Sequence, residues 1–343
     1  KFKLAQQNSV YTNSKTWQYF PNISQFSNIT REPYLSEIYA QVNLALAYGA
    51  KGVHYFGYWT ESNRDMIGLV DPNLDPINSS SPYSVYHENK WDGIKSLNLK
   101  LALVGPTLMN LAWQGGYSIH TNPGYPNYIT NISAYTTGGT QDSYPSSTYV
   151  ELGTFRRSDQ INNDKLEFFF VVNRRTLSAD QRNIAVTINK STTIYNNWKV
   201  TEVGTSNTWT VSNTGSFTTN YQPGEGKLFK MEPVMLAGGT LAYNENIPQT
   251  TTLNSGITLS IQPGVSLTFT NGASLIVNGT LIANGTSANR IIFNRSGPNG
   301  LWGSLKFDGT GATSSILSNV EVYNATSIQI LNDANVTVNN SKL

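Results

Sequence analysis

The chain has 343 residues, enough for two or three domains, and its 23 basic and 21 acidic side chains leave a formal net charge of +2. This balance argues against a nucleic-acid partner, because such partners usually require a concentrated basic face. The sequence contains no cysteine, which excludes disulfides and thiolate chemistry, and no apolar run reaches the roughly 18 residues typical of a membrane span.

Residues 1 to about 115 alternate strand and helix signals. A short strand is predicted at residues 3–7, and a helix from Pro33 to about residue 49, because apolar side chains recur there at helical spacing. An aromatic-rich strand follows at residues 53–59, and a second helix is predicted from about residue 87 to residue 113. This alternation is typical of α/β folds, but two such units cannot by themselves close a barrel.

Residues 116 to about 235 lose the helical period and show short β-rich runs separated by turn residues. The runs are 148–155, 166–173, 183–188, 198–202, 208–212 and 227–231. Their spacing of roughly 10–15 residues predicts an antiparallel β-sandwich.

Residues 236–343 carry few charges and repeat short β-rich pieces with Asn-Gly breaks at Asn271, Asn278 and Asn284. The pieces are 266–269, 274–277, 280–283, 290–293, 304–307, 320–323, 327–331 and 336–338. Two or three pieces would form a coil of about 20 residues, which predicts a stacked solenoid with an apolar interior. The pattern stops in mid-coil without a polar cap, so we expect the native chain to continue beyond residue 343.

Three sets of segments resemble known carbohydrate-active proteins. REPYLSE at 31–37 with LAYGAKGVHYFGYW at 46–59 resembles the seventh helix and eighth strand of a clan-A-like bacterial glycoside-hydrolase TIM barrel. VVNR at 171–174 with QPGEGKLF at 222–229 resembles the β-sandwich that follows such barrels. IQPGV at 261–265 with LIVNGTL at 275–281 resembles the first coils of a right-handed parallel β-helix of the pectin-lyase type.

The resemblance implies a multidomain fold: the C-terminal portion of a (β/α)8 barrel at 1–115, a β-sandwich at 116–235 and an incomplete parallel β-helix at 236–343. In such barrels one catalytic carboxylate ends the fourth strand, which this chain would lack. We therefore interpret the chain as an inactive fragment of a secreted or cell-surface bacterial protein that hydrolyses glycosidic bonds by a two-carboxylate mechanism. Its partner would be a carbohydrate, and no cofactor is predicted.

Catalytic carboxylates of a barrel lie at the C-terminal ends of its strands. The resemblance places the nucleophile at the end of the seventh strand, where this chain has Gln6 and Gln7, and an amide cannot be that nucleophile. The two glutamines are therefore candidates for lining the site, or are ordinary polar residues. Glu61 follows the predicted eighth strand and is the best local carboxylate, with a solvated loop acid as the alternative.

Trp59 ends the predicted eighth strand, where the resembling enzymes use an aromatic platform for the sugar. The alternative is a core tryptophan that covers the barrel mouth. Strand alternation places Tyr55 on the face of Trp59 and places His54 with Tyr58 on the other face, so Tyr55 is the second substrate-binding candidate. His54 is interpreted as a packed or hydrogen-bonded histidine. Glu37 is interpreted as structural, at a helix N-terminus or paired with Arg31.

No metal site is predicted. Asp65, Asp71 and Asp75 match no calcium-loop spacing, and the three histidines fall in separate segments. The competing hypothesis is a non-catalytic glycan-binding or adhesive surface protein with a β-helix stalk, which the Gln6-Gln7 pair favours. A third hypothesis makes the β-helix a lyase, but its charged residues are scattered along the sequence. The sequence leaves the sugar, the linkage and the oligomeric state open.

Overall fold

The computed structural model describes residues 18–21, 25–26, 31–55, 57–63, 66–120, 124–159, 161, 165–190 and 195–343. The chain forms two compact units. The helical unit comprises Lys1–Thr187, Thr201–Asn207 and Ser216–Lys230, and the solenoid unit comprises Ile188–Val200, Thr208–Gly215 and Met231–Leu343. The division into three domains stays a prediction.

The elements up to residue 236 include both helices of the described residues. In chain order they are β1 (Gln18–Tyr19), β2 (Gln25–Phe26), α1 (Leu35–Ala47), β3 (Gly52–Val53), β4 (Met66–Ile67), α2 (Lys90–Met109), β5 (Leu111–Ser118), β6 (Ile129–Tyr135), β7 (Val150–Arg157), β8 (Glu167–Asn173), β9 (Arg182–Ile188), β10 (Tyr195–Glu202), β11 (Thr208–Ser212), β12 (Ser216–Tyr221) and β13 (Gly226–Leu236).

Helix α1 begins where the sequence predicts it. The backbone N–H of Tyr34 donates to Glu37 Oε2 at 2.9 Å, and the N–H of Leu35 donates to Glu88 Oε2 at 2.7 Å. Arg31 pairs with the Glu37 carboxylate, donating from Nη1 to Oε2 at 2.8 Å. Two carboxylates thus satisfy N–H groups that have no partner inside the helix, and they complement its positive end. The structural interpretation of Glu37 is confirmed.

Helix α2 begins at an Asn89 cap, whose side chain accepts from the N–H of Asp92 at 3.2 Å. Its first residue, Lys90, forms a buried ion pair with Glu32, which ties the start of α2 to the segment before α1. Burial lowers the pKa of Lys90. The helix predicted at 87–113 is confirmed, but it ends at Met109, four residues earlier than predicted.

Strand β8 lies inside the helical unit, and all seven of its residues are buried. Phe168 and Phe170 join the cluster that α1 forms with Val42 and Leu46, whereas the Phe169 ring lies 6.2 Å from that of Phe217 in β12. Alternate side chains of one strand therefore face the helix and a second sheet. Each such buried side chain contributes about 1.5–3 kcal/mol to folding.

Three antiparallel pairings build these layers, as the sequence predicts in outline. Strand β7 pairs antiparallel with both β5 and β8, and β12 pairs antiparallel with β9 in a sheet of order β12-β9-β6. The sandwich-like arrangement is confirmed. Strands β5, β6 and β12 were not predicted. The signal in β5 is weak because two glycines interrupt it, and it forms through pairing with β7, some 40 residues later in the sequence.

A partial TIM barrel is not evident in the described residues. The strand predicted at 53–59 is reduced to β3, and the backbone at Gly57 has a positive φ of +83°, which lies outside the strand region. Trp59 forms a parallel bridge with Val70. Strand β3 pairs in parallel with β1 across α1. The strand predicted at 3–7 lies outside the described residues.

The solenoid unit continues with short strands and one 3-10 turn. These are β14 (Gly239–Leu241), β15 (Glu245–Ile247), β16 (Thr251–Leu253), β17 (Thr258–Ile261), β18 (Ser266–Phe269), β19 (Leu275–Val277), β20 (Thr280–Asn284), β21 (Ile291–Arg295), β22 (Trp302–Asp308), the turn Thr310–Ala312, β23 (Ser315–Ser318), β24 (Val320–Val322), β25 (Ala325–Leu331) and β26 (Val336–Asn339).

These strands stack in parallel into about four turns of a β-solenoid, which confirms the predicted parallel β-helix in its coarser form. Consecutive turns place apolar residues above one another, as in the column Leu253, Val277 and Phe307, each fully buried. The rings of Phe269 and Trp302 stack at 4.1 Å inside. An interior of this kind requires no charged residues, which accounts for the charge-poor sequence.

Neither helix of the described residues combines the length and the apolar character that a membrane crossing requires.

Candidate functional site

An open pocket of about 640 Å³ lies in the helical unit between α2 and the segment that follows β3. Its lining residues are mostly aromatic and aliphatic, with an amide and two basic side chains: Val53, His54, Tyr55, Tyr58, Leu69, Trp91, Ile94, Lys95, Asn98 and Leu99. We call this the aromatic pocket. Its size is in the range of pockets that hold small ligands.

Helix α2 supplies one wall of the aromatic pocket. Trp91, Lys95 and Asn98 follow one another at spacings of four and three residues, so the helical period brings them to one face. Ile94 is buried beneath them and packs in a small apolar cluster with Ile38 of α1 and Leu69. This packing fixes the face that α2 turns to the pocket.

The second wall comes from the residues after β3. The Tyr55 hydroxyl donates to Asn98 Oδ1 at 2.9 Å, which joins the two walls. Burial raises the pKa of Tyr55 to about 12, so the phenol keeps its proton at neutral pH and remains a donor. This bond orients the Asn98 amide, a group that can bind sugar hydroxyls.

Two aromatic rings remain accessible in the pocket. Tyr58 is 52% exposed and contacts Trp91 edge-on, with ring centroids 6.2 Å apart. His54 is also exposed and stacks on Phe20 at 5.1 Å. Exposed rings beside an amide suit a ligand that has both an apolar face and hydroxyl groups.

The structure groups the predicted tyrosines differently from strand alternation. Tyr55 and Tyr58 both line the aromatic pocket, and Gly57, which lies between them in the sequence, has a positive φ that interrupts strand alternation. Trp59 is 50% exposed and does not belong to the lining residues. Of the two substrate-binding candidates, Tyr55 lines the aromatic pocket and Trp59 does not.

Glu61 also lies outside the aromatic pocket. Its backbone N–H donates to the Met66 carbonyl at 2.9 Å, and its side chain is partly buried. None of the pocket-lining residues that the structure describes is a carboxylate. Gln6 and Gln7 lie outside the described residues.

The predicted acidic loop has a local structural role in its described part. Asp71 Oδ1 accepts from the backbone N–H of Asn73 at 2.8 Å and of Asp75 at 2.9 Å, as in an Asx turn. Asp65 lies outside the described residues. Within the described ranges, no three His, Asp or Glu side chains come together as a metal site.

Sequence reasoning did not single out Trp91, Lys95 and Asn98. Their spacing predicts that they share one face of the helix. Nothing in the sequence, however, indicates that this face contacts the segment that follows β3. That contact joins segments about 40 residues apart.

Comparison with known proteins gives no relative for this chain: no protein-family model, no curated protein and no solved structure matches it.

Proposed function

We propose that this chain binds a carbohydrate in the aromatic pocket. The observation that carries the proposal is the combination of exposed Tyr58, half-buried Trp91 and the Asn98 amide in one pocket of about 640 Å³. A sugar packs its C–H face on an aromatic ring, while its hydroxyls bind to amides and phenols. The described lining lacks the pair of carboxylates that glycoside hydrolysis requires, so binding without hydrolysis has the stronger support.

The proposal is tested by calorimetric titration of the wild-type chain and its variants with a panel of oligosaccharides. We expect Trp91→Ala to weaken binding of the best ligand by about tenfold, because an aromatic contact contributes roughly 0.5–1.5 kcal/mol beyond the area that it buries. Trp59→Ala is the matched control, since it removes an exposed tryptophan outside the lining residues. Absence of binding to every oligosaccharide, or loss of binding only in Trp59→Ala, would contradict the proposal.

A second candidate is the glycoside hydrolase that the sequence resembles. It is favoured by the parallel pairing of β1 with β3 across α1, an arrangement typical of successive strands in a barrel. In this alternative Glu61 would be one of two carboxylates and Trp59 would keep its predicted binding role, whereas the roles of Gln6 and Gln7 would require the seventh strand to lie at residues 3–7 and not at β1. This alternative includes the barrel origin of residues 1–115 and the right-handed pectin-lyase type of the solenoid. Secretion or surface display would fit this alternative, and surface display would fit the binding proposal as well.

A further inference from the structure

The α2 wall brings a cation to the aromatic pocket. Lys95 is exposed and lines the pocket between Trp91 and Asn98. In the part of the chain that the structure describes, no carboxylate lies within ion-pair distance of its ammonium group. The nearest acid along the helix, Asp92, accepts a hydrogen bond from Asn89 Nδ2 at 2.7 Å at the start of α2.

The charge in the pocket is therefore of one sign. The other ionisable lining side chains are His54, which is basic, and two tyrosines, of which Tyr55 keeps its proton at neutral pH. The chain as a whole is nearly neutral, with a net charge of +2, so this cationic character is local to the pocket. An ammonium group is a compact charge with three hydrogen-bond donors, which suits a carboxylate or sulfate oxygen.

We propose that the aromatic pocket selects an anionic sugar, in which the ring packs on Tyr58 and Trp91 while an acidic substituent pairs with Lys95. The inference rests on the proposed carbohydrate binding and deepens it by naming the ligand class. A uronate carboxylate and a sulfate ester share the required chemistry. A neutral sugar would leave the ammonium group without a partner in the complex.

The test measures the affinities of trigalacturonic acid and of its methyl ester, which keeps the sugar and removes the charge. A sulfated trisaccharide forms a third arm and distinguishes the two sources of negative charge. We expect an anionic ligand to bind roughly fivefold more tightly than the ester at low salt, since exposed ion pairs contribute up to about that factor. The preference should decrease as salt screens the pair.

Variants of Lys95 show whether the preference arises in the pocket. Lys95→Gln should lower the affinity for the anionic ligand to about that for the ester, whereas Lys95→Arg should keep the preference. Lys100→Gln is the matched control, because Lys100 lies on the same helix, outside the pocket lining, and pairs with Glu225.

Equal binding of acid, sulfated ligand and ester, or a preference that survives Lys95→Gln, would overturn this inference and leave carbohydrate binding intact. Failure of every sugar to bind, the ester included, would instead overturn the proposed function. A preference confined to the sulfated or to the carboxylated arm, and lost in Lys95→Gln, supports the inference and identifies the anion.

Discussion

Lys51 lies partly buried near the end of α2, where its ammonium donates to the carbonyl oxygens of Leu108 and Leu111. Burial lowers its pKa from the ordinary 10.5 to about 8. Between these two values the unfolded chain binds more protons at this residue than the folded chain does. The contribution of Lys51 to stability therefore rises with pH from about 8 to about 10.5.

The prediction at this residue concerns the slope of stability against pH. Between pH 8 and pH 10 the wild-type chain should gain about 1 kcal/mol of unfolding free energy relative to Lys51→Met, a figure reduced for solvent screening. Urea unfolding at several pH values measures it. Parallel profiles of the two proteins would contradict the prediction.

Single residues differ in how far their surroundings could be predicted. The Glu37 contacts followed from the sequence because Arg31, Tyr34 and Glu37 lie within two helical turns of one another. The grouping of Tyr55 with Tyr58 did not follow, because the positive φ at Gly57 between them breaks strand alternation. The amino-acid pattern of this segment is the same for a strand that continues to residue 59 and for one that ends after β3.

At the scale of elements, α1 lies close against β7 of the neighbouring sheet. A Cβ atom at Gly153 would lie 1.8 Å from the carbonyl oxygen of Ala47, the last residue of α1. The Trp113 indole, on the adjacent strand β5, donates to the same oxygen at 3.2 Å. The end of the helix therefore approaches the sheet at a position that only glycine can occupy without backbone movement.

Gly153→Ala should consequently destabilise the helical unit by about 2–3 kcal/mol, since helix and sheet would have to separate. Gly138→Ala is the matched control. Gly138 is exposed, and a Cβ there meets only Thr136 Oγ1 at 3.8 Å, so a change of at most about 0.5 kcal/mol is expected. Denaturant unfolding of both variants makes the comparison. Equal stabilities would show that α1 and β7 tolerate a wider separation than the structure has.

The elements that formed as predicted show the helical or strand periodicity of apolar residues in their own local sequence. Helix α1 follows from apolar residues at helical spacing, and β18 at Ser266–Phe269 matches its predicted bounds. Strands β5 and β12 were not predicted, because their hydrogen bonds are made to distant strands and their own sequences alternate poorly.

At the scale of the whole molecule, hydrolysis is a one-sided test of the two candidate functions, because the hydrolase hypothesis also interprets this chain as an inactive fragment. We expect the wild-type chain to release no reducing ends from the oligosaccharide that it binds best, because the described lining of the aromatic pocket offers no carboxylate pair. A reducing-sugar assay over long incubation measures this.

Release by the wild-type chain that falls at least about a hundredfold in Glu61→Gln would favour the hydrolase instead, in line with the loss of a general acid or base. Glu321→Gln, which removes a carboxylate from the solenoid unit, serves as its control.

The sequence by itself determined α1, the antiparallel β-rich region and the parallel solenoid, because each rests on a period of two or 3.6 residues or on a repeat of coils. Tertiary structure alone decided the aromatic pocket. Trp91, Lys95 and Asn98 line the aromatic pocket only because α2 packs beside Tyr55 and Tyr58, and the Tyr55–Asn98 bond joins residues 43 positions apart. Local periodicity fixes which face an element presents, but only packing decides what that face meets.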